Sequence, residues 1–575
     1  MKKLSVLVVL ITLFGFLTFS QETSSWDWAR GVSTFHENGT LGPIEVIGIA
    51  ADELGNVYAT GTFSNDYFFT GIDTLSRGIV NDAIFLIKYN NEGQVQWSKR
   101  IGAIQGKTNS RSSIWDLTIA VDPDNNVILG GSFTRDIYFG NSVHLINPLT
   151  DINLGRNNRN AFVAKINSDG VAEWARQFGG RNDERINHIA TDQDGAIYAT
   201  GRFQSDSIMF GNGRLLKNYV SSGFGQYDEY FTVKYDKDGN PRWIRGTHSG
   251  GLWRSIEGHK IVVNNKGEII VAGEFTTDSL IIDSYELKNN DTIGGEYGSS
   301  DLFFIKYNQN GDVLWANNYG GSISESLHDI AVAEDNHLII TGKFNSPEFS
   351  IGDIPIKNSH PMATRVGFFI KVNENFEEVW TVPAGSQYWF DITVDKNGNI
   401  YSAAGFEPWV PLTDMVMIRQ LDNNGELQEL LLVKCGGSDK WGGPMATNSN
   451  NEVFVMFSAS YNQIPMTLGE EQISTRGSVI AKARFENVSP VDEVFTTQSR
   501  IEVFPNPVSD LLNISYTGNS SIEHVKLIDI QGKVLFSADI SSNPYQLDVS
   551  NMKPGIYFLN LYADNQMHVN KIVVF

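Results

Sequence analysis

The sequence predicts an all-β protein: a seven-bladed β-propeller closed by an N-terminal strand, followed by a small C-terminal β-sandwich. Three observations predict it. One phrase recurs seven times along most of the chain, a second recurs downstream of those copies, and the residues after 500 abandon both for a different run of short strands. Repetition on this scale marks arrays and propellers, and 575 residues exceed one ordinary core.

The first phrase reads "DELGNVYATGTF" (52–63), "DPDNNVILGGSF" (122–133), "DQDGAIYATGRF" (192–203) and "NNKGEIIVAGEF" (264–275). It continues as "AEDNHLIITGKF" (333–344), "DKNGNIYSAAGF" (395–406) and, degraded, "NSNNEVFVMFSA" (448–459). Each copy follows a short apolar run, which predicts strand, tight Asp/Asn/Gly turn, strand. These are strands A and B of one unit.

The second phrase supplies strands C and D: "FLIKYNNEGQVQW" (85–97), "FVAKINSDGVAEW" (162–174), "FTVKYDKDGNPRW" (231–243), "FFIKYNQNGDVLW" (303–315) and "FFIKVNENFEEVW" (368–380). The sixth copy, "VMIRQLDNNGELQE" (416–429), lacks the Trp, and the seventh, "VIAKARF" (479–485), stops before a D strand. The chain opens instead with "SWDWARGV" (25–32), whose twin "EWARQFGG" (173–180) ends a repeat. One spare D strand at the start matches one missing at the end, so Trp28 is expected beside "VIAKARF", closing the ring. Closure removes the free strand edge that an open ring exposes. The two phrases resemble the SBBP family of seven-bladed propeller repeats over about residues 26–486, a resemblance that implies fold and little about function.

Residues 501–575 read as short strands: "IEVF", "LLNISY", "HVKLIDI", "KVLFSA", "GIYFLNLY" and "NKIVVF". Three ordered motifs, "FPNPVSDLLNI" (504–514), "LIDIQGKVL" (527–535) and "MKPGIYFLNL" (552–561), resemble the type A C-terminal sorting domain of the type IX secretion system of Bacteroidota. The resemblance assigns the motif positions to Pro505, Asn506, Pro507, Asp510, Gly532, Gly555 and Tyr557. Family members usually have Tyr where this chain has Phe504, and many end on a basic residue that "KIVVF" lacks. At the other end, Lys2 and Lys3, an apolar run from Leu4 to Phe19, and Thr18 and Ser20 before Gln21 read as a secretory signal. The expected domains are therefore a signal peptide (1–20), the propeller (21–486), a linker (487–500) and the sorting domain (501–575). The implied partner is the type IX machinery. The implied address is the cell surface or medium, reached through the periplasm.

A net charge of −22 argues against nucleic acid, whose recognition needs clustered Lys and Arg. No second long apolar run suggests an integral membrane segment in the mature chain. Cys435 is alone, so no intrachain disulfide can form. Turns such as "DKDG" (236–239) echo a calcium loop but lack its remaining ligands, and Asp, Asn and Gly suit tight turns. No metal or cofactor is expected. The series Lys88, Lys165, Lys234, Lys306, Lys371, Arg419 and Lys482 recurs once per unit and is expected to be architectural.

The turns A-to-B and C-to-D lie on one face of a propeller and are short here. The B-to-C and D-to-A connections share the other face, and several B-to-C segments (134–161, 204–230, 276–302) are long. Binding residues usually sit on such loops over a rigid scaffold. Trp115, Trp253, Trp389 and Trp441 fall in D-to-A connections, with Tyr388 beside one, and exposed aromatics there suit a sugar or peptide. His188, Lys260, Asp329 and Asp391 stand four residues before the turn slot in successive units, so they share one ring near the channel entrance. The expected ligand-binding set is thus Trp115, Trp253, Tyr388, Trp389, Trp441 and Lys260, for a glycan or a protein. His188, Asp329 and Asp391 are the candidates for acid–base chemistry if the protein instead degrades a polysaccharide. A third expectation is a structural or adhesive surface protein.

Overall fold

The computed structural model describes residues 25–485 and 500–574 apart from connecting segments, the longer ones being 103–112, 149–157, 219–226, 291–298, 359–365, 406–414, 460–465 and 505–510. The chain divides into two compact units, Met1–Glu486 and Asn487–Phe575. Almost all described regular structure is strand.

The first unit is a β-propeller. Its repeating element is an antiparallel four-stranded sheet in A-B-C-D order, first seen in Glu45–Ala51, Val57–Phe63, Ala83–Tyr89 and Val95–Ile101. Among the described residues seven sheets carry this run. The later A strands are Ile114–Val121, Glu184–Thr191, Ile256–Val263, Glu325–Val332, Tyr388–Val394 and Lys440–Thr447. Each A strand contacts the next along the chain, and Lys440–Thr447 contacts Glu45–Ala51, so the inner strands form a closed cycle. Sheets stacked face to face bury both sides of their middle strands. Val127–Phe133 and Asn160–Ile166 are accordingly buried at every position, which is why they read as unbroken apolar runs.

Closure is made by the first strand of the chain. Ser25–Phe35 pairs antiparallel with Gly477–Arg484 in the register Trp28↔Lys482 and Arg30↔Ile480. The seventh sheet therefore takes its outer strand from the other end of the unit, as "SWDWARGV" suggests. Trp28 is 5% exposed, stacks 5.9 Å from Tyr89 of the first sheet, and donates from Nε1 to the Asn91 carbonyl (2.8 Å).

That contact is one case of a rule. In each unit that keeps both residues, the repeated Lys and Trp are direct cross-strand partners, as in Lys88↔Trp97 and Lys371↔Trp380. In the first, third and fifth units both donate to the C-to-D turn of the next sheet. Ser168 O accepts from Lys88 Nζ (3.2 Å) and Trp97 Nε1 (2.9 Å), and Asn423 O from Lys371 Nζ (3.4 Å) and Trp380 Nε1 (3.0 Å). The ammonium also pairs with an acid of its own A-to-B turn, as in Lys165–Asp122 (2.7 Å) and Lys371–Asp335 (3.3 Å). The turn acids are otherwise used locally: Asp236 Oδ1 accepts from the Asp238 (3.0 Å) and Asn240 (2.8 Å) amides. The basic series fastens neighbouring sheets together.

The B-to-C segments differ from the open loops expected of them. Those of sheets 1 to 5 and 7 contain a second, short hairpin, for example Asp136–Gly140 with Val143–Ile146 and Ser207–Phe210 with Arg214–Lys217. The first hairpin touches the outer strand of the preceding sheet, Val95–Ile101, and that of its own, Ala172–Phe178. Phe68, Ile137, Ile208, Leu280 and Phe349 anchor such hairpins in the core. The physical reason is the D strands, whose outer edges would otherwise be left open.

The second unit is a sandwich. Arg500–Phe504, Leu511–Thr517 and Tyr545–Asp548 form one sheet; Val534–Asp539, Ile522–Asp529, Gly555–Ala563 and Gln566–Val574 form the other. Leu512, Ile514, Val525, Leu527, Leu559 and Ile572 fill the core between them.

Candidate functional site

Every A strand breaks register with its B strand at the same level, between Val46 and Gly48, Ile186 and His188, Gly258 and Lys260, Leu327 and Asp329, and Trp389 and Asp391. The second and seventh sheets do so near Thr118 and Pro444. A bulge adds a residue and re-aims the side chains beside it. Repeated around the ring, it sets Gly48, Thr118, His188, Lys260, Asp329, Asp391 and Pro444 around one cavity of about 340 Å³. A second cavity of about 230 Å³ lies among the A-to-B turns, lined by Glu53, Asn265, Glu334 and Lys396.

The charged residues occupy one continuous arc. Lys260 Nζ stands 2.8 Å from Asp329 Oδ1 and 3.9 Å from Asp391 Oδ1. Asp329 Oδ2 accepts from the Ile392 amide (2.9 Å), Asp391 Oδ2 from the Met445 amide (2.6 Å), and His188 Nδ1 is bonded to the Ile261 backbone (3.1 Å). Each side chain thus grips the A strand of the following sheet. Burial and the neighbouring Asp329 carboxylate push Asp391 well above the ordinary carboxylate range. Burial opposes the charge on Asp329, but Lys260 and the hydrogen bond with Asp391 outweigh it and hold the carboxyl below its usual value. Burial likewise opposes the Lys260 charge, and Asp329 with Asp391 raises it above the ordinary value. Burial, then Lys260, pushes His188 down to about 4, so its imidazole is neutral. The arc holds one ammonium, two carboxyls turned towards it and one neutral imidazole.

Three residues earlier on the A strands comes the mouth. Its register positions are Glu45, Trp115, Arg185, Glu257, Ser326, Tyr388 and Trp441, paired with Thr62, Ser132, Arg202, Glu274, Lys343, Gly405 and Ser458. Aromatic residues hold three of the four consecutive positions across sheets 6, 7, 1 and 2. Trp115 is 37% exposed, with the Arg159 guanidinium 5.3 Å over its ring. Arg159 is held by Asp183 (2.7 Å), and Asp116 lies between Arg159 (3.5 Å) and Arg185 (3.4 Å). Asp116 has φ 55, a left-handed backbone that Asp tolerates better than most residues, and Ser132 Oγ donates to its carboxylate (2.7 Å).

Of the residues singled out in the sequence, His188, Lys260, Asp329 and Asp391 come together, and Trp115 stands at the mouth above them. Trp253 lies outside the described residues. Tyr388, Trp389 and Trp441 lie on described strands, but their side chains are not among the described ones. Counting four residues back from the other turns would also have found Gly48, Thr118 and Pro444. Asp116 and Arg159 carry no such signal, because their pairing depends on a fold contact across 43 residues. In the second unit, Gly555 opens a strand, and Tyr557 is buried with its hydroxyl donating to Lys553 O (2.7 Å). Pro505, Asn506, Pro507, Asp510 and Gly532 lie outside the described residues.

Comparison with known proteins matches residues 502–575 to the secretion system C-terminal sorting domain. The chain is similar to an uncharacterized WD repeat-containing protein, L264, of Acanthamoeba polyphaga mimivirus, at 24% identity over 453 residues. That match covers 67% of this chain and 32% of the relative's length. Among solved structures, the β-propeller domain of the Trilobed protease from Pyrococcus furiosus has a TM-score of 0.38 at 8% identity, covering 75% of this chain and 95% of that one. The Dos1 propeller has a TM-score of 0.34 at 10% identity, covering 80% and 96%. The chain is a β-propeller protein that carries a secretion system C-terminal sorting domain at residues 502–575.

Proposed function

We propose that this is an exported protein whose propeller, a seven-bladed ring over residues 21–486, binds a glycan or a protein segment at its channel mouth. Residues 1–20 are its leader. Across a linker at 487–500, the C-terminal unit directs it through the type IX secretion system of a member of the Bacteroidota to the cell surface or the medium. The binding reading is carried by one observation: exposed Trp115, with the Arg159 guanidinium over its ring, stands on an A strand three residues before Thr118, which lines a cavity walled by both polar and apolar residues. Aromatic faces with convergent polar groups are the usual makeup of a small-ligand site.

A polysaccharide-degrading enzyme is the second reading, with His188, Asp329 and Asp391 as its candidates for acid–base chemistry. The test is a glycan and peptide array probed with the full chain, with product analysis of every hit. Binding without turnover is expected. Trp115→Ala should weaken that binding about tenfold or more while shifting the melting temperature little, because the ring is partly exposed. Turnover would move the protein to the enzymes, and silence on every array would leave a structural or adhesive role.

A further inference from the structure

We infer that the cavity takes an uncharged, polyhydroxylated ligand, a neutral sugar ring, and discriminates against acidic, sulfated and amino sugars. This rests on the binding reading above and narrows its ligand class.

Lys260 lies between Asp329 (2.8 Å) and Asp391 (3.9 Å), and the far oxygens of both carboxyls are taken by the Ile392 and Met445 amides. With both carboxyls turned to the one ammonium and the imidazole neutral, the arc closes its charges internally. A carboxylate or sulfate entering the cavity would have to take Lys260 from Asp329, leaving a buried carboxylate without its cation. An ammonium would meet Lys260 at close range. Either outcome strands a charge away from water, which is costly. A hydroxylated ring does neither.

The groups left over suit such a ring. His188 and Thr118 line the cavity from neighbouring sheets, and among the described residues neither Nε2 of His188 nor the Thr118 hydroxyl has a protein hydrogen-bond partner. Ile47, Leu117, Ile330 and Met445 supply apolar wall between the polar groups. A sugar presents this same combination, C–H faces with hydroxyls at the edge. The volume, about 340 Å³, sits at the lower end of the range for small-molecule sites, enough for one or two such rings.

The test is calorimetric titration of the full chain with matched disaccharides: cellobiose, maltose, lactose and mannobiose, each against its uronate, sulfated and amino counterpart. Binding is expected among the neutral members, with each charged counterpart about tenfold weaker or more. His188→Phe and Thr118→Val should each lower affinity for the neutral ligand by about tenfold. If either variant fails to fold, the comparison on the unaltered protein still decides. A charged counterpart binding as well as its neutral partner overturns the inference and leaves the binding reading standing. Peptide binding with no saccharide binding does the same. No binding to any saccharide or peptide overturns both.

Discussion

Gly93 and Phe376 hold the same place in two C-to-D turns and show what the repeated Trp requires. Gly93 has φ 71, and a Cβ there would lie 2.4 Å from the Trp28 ring. Trp97, Trp174, Trp243 and Trp380 each lie over the corresponding glycine of the next sheet. Phe376 keeps the left-handed backbone (φ 62) but replaces glycine's empty space with a ring stacked 4.2 Å from Trp315. One partner is a flat slot and the other a second aromatic. Gly93→Ala should therefore cost about 1–3 kcal/mol in urea unfolding, through backbone strain and a clash at the closing contact. The buried titratable groups give a second prediction, with opposite signs. His188 falls from 6.5 to about 4 on folding, so its neutral-state stability is present above pH 6.5 and lost as pH falls towards 4. Glu184, pushed up from 4.5 to about 7 chiefly by burial, contributes stability below pH 4.5 that is lost as pH rises to 7. Urea midpoints at pH 7, 5.5 and 4.5 should show the wild type losing ground to His188→Gln on acidification and gaining ground on Glu184→Gln. Parallel curves for wild type and both variants would show that neither group titrates in this way.

At the scale of elements, the first strand of the chain bears the largest consequence. Deleting residues 25–35 leaves Gly477–Arg484 with an open edge, exposes the faces that Trp28 covers on Tyr89 and Phe454, and frees Lys482 from Asp27 (3.3 Å). Loss of a large buried aromatic alone costs about 3–5 kcal/mol. The truncated chain should aggregate or lose cooperative unfolding by light scattering and calorimetry; a monomer with an unchanged melt would show that closure does not depend on this strand. This element could be read from the sequence because the D strand carries Trp, Ala and Arg in fixed order, so a misplaced copy is recognisable. The rim hairpins carried a weaker signal, "FSNDYFF" (63–69), "FTRDIYF" (133–139) and "FTTDSLI" (275–281), with Phe, an Asp three residues on and a short apolar run of varying phase in common. Phe68, Ile137 and Leu280, at the fifth or sixth place of these stretches, are buried in the core. The same contrast holds in the cavity. His188, Lys260, Asp329 and Asp391 were legible by register, since a strand period and a constant turn fix which residues share a level. The Asp116–Arg159 contact was not, because it joins an A strand to the start of a C strand and, among the described residues, recurs in no other sheet.

For the whole molecule, the decisive feature is that each compact unit has a core of its own. The first closes its cycle of inner strands before residue 486, and the second fills its sandwich with Leu512, Val525, Leu559 and Ile572. Units that bury their own apolar residues can fold separately, so removing one should not unfold the other. Deleting 501–575 should leave a folded propeller, judged by its melt, that accumulates in the periplasm of a host with the type IX system. Fusing 487–575 to an unrelated periplasmic reporter should carry the reporter to the surface or medium of that host, and Tyr557→Ala, by opening the sandwich core, should abolish the transfer. An ordinary C-terminal binding module predicts no change of location in any arm. Fractionation of the host, with immunodetection in periplasm, outer membrane and medium, separates the two. A chain lacking 501–575 that still reaches the surface would end the sorting assignment, since a sequence match cannot stand against a tail the cell does not need.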